Sequence, residues 1–154
     1  MSMRTSIIIF FLLVSQSRSF GQTKNTFEPT PINFVIKNAG IKVNGSMNGL
    51  EGFLMMDPQS SDPVKIEGTL DPNTIKTGIG LRDNHLKKAD YFNVKAFPKI
   101  YMTSTLIKKN SGQTYTGNFD LTIKDITKSI SIPFTFSATA DGYAMRGEFF
   151  HQPP

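Results

Sequence analysis

The sequence predicts an all-β fold: an antiparallel barrel of about eight strands with one short helical insertion. Three observations carry that expectation. Apolar and polar residues alternate in run after run, as strands with one buried face require. Turn residues such as Asn48-Gly49, Asp57-Pro58, Asp71-Pro72-Asn73 and Asp141-Gly142 separate the runs. One stretch, from Leu81 to Thr105, replaces the alternation in its first half with apolar residues at helical spacing.

The N-terminus has the three regions of a secretory signal peptide. Arg4 precedes the apolar run Ile7 to Val14, and Ser19-Phe20-Gly21 offers small residues for cleavage before Gln22. The run is much shorter than the ~20 residues of a membrane-crossing helix. With no Cys beside the cleavage site, a lipid anchor is not expected. The mature chain is expected to be soluble, to start near Gln22, and to be periplasmic or secreted. Cleavage removes Arg4 and Arg18 and no acids, so the formal charge falls from +5 to +3. That modest charge, with no basic cluster, gives no reason to expect a nucleic acid partner. The chain has no Cys and no Trp, which excludes disulfides, thiol catalysis and Cys-ligated metal.

Residues 22–30 read as a flexible polar lead-in and 31–154 as one barrel domain. Ile32, Phe34 and Ile36 share one face of a first strand. Ile41 to Met47 and Leu50 to Met56 form the next two, joined as a hairpin at Asn48-Gly49. Val64, Ile66, Gly68 and Leu70 make a half-buried fourth. Beyond the insertion, Ile100, Met102, Ser104 and Leu106 share a face. Tyr115, Gly117, Phe119, Leu121 and Ile123 alternate next, answered across a hairpin by Ile130, Ile132, Phe134 and Phe136. Pro133 cannot donate to a ladder and argues for an edge or bulge. Tyr143 to Phe150 is the last strand. These faces are chosen by alternation, so a one-residue bulge turns some of them outward.

In the insertion, Asp83 is expected to cap a helix by accepting from the amides of His85 or Leu86. Leu86, Ala89 and Phe92 recur at spacing three, and Pro98 prevents the helix from passing Phe97. So short a helix needs a surface to lie on, and the flanking strands supply it. Asp83 to Phe97 is therefore read as a lid.

His85 is the only His outside the tail, and no Ser or Cys motif accompanies it. It reads as a lid hydrogen-bonding group rather than a catalyst. Arg82 and Asp83 suit a polar mouth facing a phosphate or quinone oxygen, or a structural pair tying the lid to a strand. Tyr91 and Phe92 suit ligand contact, or one of them seats the helix. The inward small residues Gly52, Gly68, Ser104 and Gly117 either ease barrel corners or leave volume for a ligand. Residue types and spacing leave each pair of readings open. Nothing resembles the nucleophile, phosphate loop or metal set of an enzyme, and no cofactor is expected.

Arg82-Asp83-x-His85-Leu86, Tyr91-Phe92-Asn93, Phe97-Pro98-x-Ile100 and Ser104-Thr105 together resemble the signature of the YceI-like family of bacterial polyisoprenoid-binding proteins. Ile32-x-Phe34-x-Ile36, Thr74-Ile75-x-Thr77-Gly78 and Tyr115-x-Gly117-x-Phe119-x-Leu121-Thr122-Ile123 agree in order and spacing. The resemblance covers roughly Pro31 to Phe136. It implies a lipocalin-like barrel with an apolar tunnel that sequesters or carries a long isoprenoid or acyl lipid. The lining would be Phe34, Ile36, Met102, Leu106, Phe119, Leu121, Ile132 and Phe134. The lid would contribute Leu86, Tyr91, Phe92 and Phe97, with Arg82, Asp83 and His85 at a polar mouth. By the family pattern chains continue past the position of Phe150 into a final apolar strand, so the resemblance implies a truncated or frameshifted product, a barrel left partly open, or an edge completed by a second copy, as a homodimer. A barrel with a filled core, serving protein interaction or stress protection, is the competing expectation.

Overall fold

The computed structural model describes residues 23–28, 30–38 and 41–148. The stretch read as a signal peptide and Phe149 to Pro154 lie outside them. Among the described residues nine strands form: β1 (Thr23–Thr26), β2 (Ile32–Asn38), β3 (Ile41–Met47), β4 (Glu51–Met56), β5 (Pro63–Leu70), β6 (Ile100–Ser111), β7 (Thr114–Ile123), β8 (Ile126–Thr139) and β9 (Gly142–Gly147). A 3-10 turn (Pro72–Thr74) and helix α1 (Gly80–Leu86) sit between β5 and β6. Among the described residues no helix is long and apolar enough to cross a membrane.

The strands are antiparallel throughout. Seven of them, in the order β1-β4-β5-β6-β7-β8-β9, make one sheet that curls into a half-barrel, while β2 and β3 pair only with each other. The alternation pattern thus led to the right class. Two connections differ from expectation. Thr23–Thr26, read as lead-in, pairs with Phe53–Met56 and forms an edge of the sheet. The Asn48-Gly49 turn closes no hairpin; it carries the chain from the small sheet to the large one. Gly49 takes φ +74°, and Thr74 locks the turn by accepting from the Asn48 amide (2.8 Å) and donating to its carbonyl (3.0 Å).

The concave face carries the core, in two clusters placed end to end. At the end built by the β4–β5 and β6–β7 loops, Leu54, Met56, Ile66, Tyr115, Phe119, Ile132, Phe134 and Phe136 are buried together. At the helix end Met47, Ile75 and Ile100 are buried under Phe34, Leu70, Leu86, Phe92, Leu121 and Ile123. The convex face and all of β9 are largely exposed. Among the described residues the ladder between β8 and β9 starts at Phe134, one residue past Pro133, which itself pairs with Thr116 of β7.

Candidate functional site

The lid is pinned through Thr77, which stands in the family motif but to which the sequence assigns no role. It is buried just before the left-handed Gly78. Its amide donates to the Asp83 carboxylate (2.8 Å) and its hydroxyl donates to the same oxygen (2.5 Å). Arg82 donates to the Thr77 hydroxyl (2.7 Å) and to its carbonyl (2.6 Å). The expected cap at Asp83 is therefore corrected: α1 begins at Gly80, three residues earlier, with Ile79 at the cap position. Asp83 lies inside the helix because the Thr77 hydroxyl and amide satisfy its carboxylate. Arg82 and Asp83 thus meet at Thr77, in the segment between the 3-10 turn and α1 rather than in a strand.

That tie lays α1 with Arg82, Asp83 and Leu86 inward, and Leu81, Asn84 and His85 outward. Leu86 and Phe92 join the helix-end cluster with Phe34 and Leu121. His85 is exposed and meets the Tyr91 ring edge-on, with centroids 4.9 Å apart. Tyr91 is itself 46% exposed, so it points away from the concave face. Phe97 is half-buried in the loop behind the helix, its amide bonded to the Asn93 carbonyl.

Among the strand positions, Met102, Phe119, Ile132 and Phe134 meet in the other cluster. Two expected inward residues face solvent. Leu106 is 59% exposed because a bulge skips Thr105: Ser104 pairs with Phe119, Leu106 with Asn118, and Ile107 takes the inward place opposite Gly117. Ile36 is 49% exposed on the β2–β3 hairpin, which among the described residues is hydrogen-bonded to no strand of the larger sheet; the Ser46–Lys76 bridge ties β3 to the segment before α1 instead.

The small inward residues are all used by the chain itself. Phe27, just past β1, lays its ring over the paired Gly52 and Gly68, and the Phe119 ring covers Gly117. Gly52 also lies so close to the Glu67 carbonyl that no Cβ fits. Ser104 accepts from the amide of the fully buried Ile66 (2.9 Å), replacing a ladder bond next to the bulge. Two concavities are open to solvent. One, of about 220 Å³, lies across β4, β5 and β6 among Glu51, Gly52, Phe53, Glu67, Gly68, Thr69, Tyr101, Met102 and Thr103. The other, of about 430 Å³, lies at the helix end between Asp71, Asn73, Val94, Lys95, Pro98 and Lys99.

The opposite end is closed by Asp62, which accepts from the Tyr115 hydroxyl (2.6 Å) and from Lys109 (2.7 Å). The Lys109 hydrogen bond, then that of Tyr115, holds the Asp62 carboxyl below its ordinary range. Asp57, accepting from the Ser60 and Gln59 amides, is likewise lowered. Burial raises the Tyr115 phenol.

Residues 25–150 match the model of the YceI-like domain. Over 103 residues the chain is 34% identical to the UPF0312 protein YE1254 of Yersinia enterocolitica, covering 66% of this chain and 53% of that one. It spans about half the length of the curated relatives it matches. The crystal structure of the Campylobacter jejuni YceI protein superposes with a TM-score of 0.60 at 26% identity, covering 71% of this chain and 66% of that one. A polyisoprenoid binding domain from Saccharophagus degradans, implicated in plant cell wall breakdown, is similar at TM-score 0.50 and 18% identity, covering 68% and 60%.

Proposed function

This chain belongs to the YceI-like domain family, and on that premise we propose that it binds a long isoprenoid or acyl lipid along the concave face of its half-barrel. The observation that carries the reading is the continuity of that face. From Leu86 and Ile100 under the lid to Tyr115 and Phe136, the inward side chains are apolar across five strands, and the exposed β9 leaves one flank of them uncovered. A hydrocarbon chain laid there leaves water at roughly 25 cal/mol per Å² of its apolar surface, before ordering costs. No charged partner is needed. The fold is shared with a domain that binds polyisoprenoids. Met102 and Phe119 sit where the two clusters meet, and Leu86 and Phe92 roof one end. The protein acts as a carrier or sequestering agent in the periplasm or outside the cell, released from its signal peptide near Gly21, and performs no catalysis.

A second reading, a filled barrel that serves protein interaction, is favoured by Phe27 over Gly52 and Gly68 and by the Phe119 ring over Gly117. Native mass spectrometry of the processed protein, followed by organic extraction, separates the two. A one-to-one adduct with a prenyl quinone or polyprenol is the expected result. Protein that stays ligand-free, and that takes up no ubiquinone after delipidation and reloading, overturns the carrier reading.

A further inference from the structure

The helix end of the half-barrel has a composition that the opposite end lacks. Between Lys76 and Lys99, and in the turn from Lys124 to Lys128, eight basic side chains stand against three acidic ones; Asp71 borders the same end, and Lys99 is paired with Glu51 (3.1 Å). Of the three acids, Asp83 is held by Thr77, leaving Asp90 and Asp125 facing solvent. The loops of the other end carry Asp57, Asp62 and Asp141 against Lys108 and Lys109, and Lys109 is paired with Asp62. Large apolar side chains also protrude at the basic end. Leu81 on α1 is 85% exposed, Ile126 60%, Ile79 52% and Tyr91 46%.

These features lie on neighbouring elements. Lys124 donates to the Ala89 carbonyl (3.2 Å), so the β7–β8 turn with Ile126 abuts the loop that carries Lys88 and Tyr91. The outward side of α1 presents Leu81, Asn84 and His85, and Lys88 follows at the spacing of the next turn. Exposed apolar tips interleaved with lysines form the pattern of a surface that inserts shallowly into a lipid interface while its cations meet anionic headgroups.

We propose that the lid end, through Leu81, Tyr91, Ile126, Lys87, Lys88 and Lys124, docks the protein onto an anionic lipid bilayer. A bilayer is favoured over an acidic protein or polymer because the charge comes with separate protruding apolar tips rather than an apolar groove. The contact deepens the carrier reading by placing the roofed end of the concave face against the membrane, and it is measured independently of cargo. Electrostatic docking requires that screening weaken it, since the Debye length shrinks from about 8 Å at physiological salt to about 3 Å at 1 M.

The test is sedimentation of the processed protein with vesicles of phosphatidylcholine alone or with 30% phosphatidylglycerol added. Binding is expected only to the mixed vesicles, and is expected to be lost at 1 M salt. Each of Lys87→Glu and Lys88→Glu is expected to weaken it by roughly fivefold or more, and Leu81→Asp to weaken it further with the circular dichroism melt unchanged. Lys108→Glu, at the opposite end, leaves it intact. Equal binding to both vesicle types, binding to neither, or an unchanged response to Leu81→Asp with equal retention by soluble polyglutamate overturns the proposal. Uptake of ubiquinone from detergent in the same preparation reports on the carrier reading alone, so the two fail separately.

Discussion

Ser104 is a polar residue on an apolar face because its hydroxyl stands in for a backbone acceptor that the β6 bulge removes, and Ile66 is the amide it serves. Ser104→Ala leaves that fully buried N–H without a partner, which costs about 1–3 kcal/mol. Urea denaturation should show the loss with an unchanged slope. Asp62 gives a pH test. Its carboxyl is lowered in the folded state, so it contributes stability above the ordinary carboxylate range and loses it as pH falls through the lower folded value. Wild type should therefore exceed Asp62→Asn in stability at pH 7, and the gap should close below about pH 4. Urea midpoints at pH 7 and pH 3 measure it. Of these residues, Tyr115 was legible as inward-facing from its period-two spacing. Its partner Asp62 was not, because the contact joins residues 53 apart in sequence.

At the scale of elements, β6 shows how one extra residue redistributes a face. Alternation assigns Leu106 inward with Met102, and the skipped Thr105 gives that place to Ile107. Leu106→Asp is expected to change stability by no more than about 0.5 kcal/mol. Ile107→Asp buries an unpaired carboxylate beside the core and is expected to cost several kcal/mol or prevent folding. Thermal melts of the pair decide whether the bulge sits where the register places it. The lid gives the parallel case for a helix. Thr77→Val removes the hydroxyl that joins Asp83 to Arg82, at about 1 kcal/mol per hydrogen bond lost. Amides of α1 should then exchange faster while those of β6 and β7 do not change. Of the expected stripe Leu86, Ala89 and Phe92, only Leu86 lies in α1, which ends there; Ala89 is exposed, and Phe92 reaches the helix-end cluster from the turns that follow. The first turn of α1 could not be read from the sequence, because Asp83 has a nearer partner than the amides it was expected to cap.

For the whole molecule, stability should grade across the sheet from centre to edge. The β6–β7 pair is flanked on both sides by further strands, whereas β9 is exposed throughout and lies at an edge. Local opening follows burial, so amides of β9 and β1 should exchange orders of magnitude faster than those of β7. Bound lipid along the concave face should slow β9 most. Period-two alternation and turn chemistry were enough for the sequence to determine the antiparallel all-β class, and helical spacing the presence of one insertion between β5 and β6, because those depend on neighbours along the chain. The partition of strands into two sheets, the bulge at Thr105, the Thr77 tie, the seating of Phe27 on Gly52 and Gly68, and the clustering of basic and apolar tips at one end were decided only in three dimensions. Each depends on which distant backbone or side chain comes within reach, and local spacing carries no record of that.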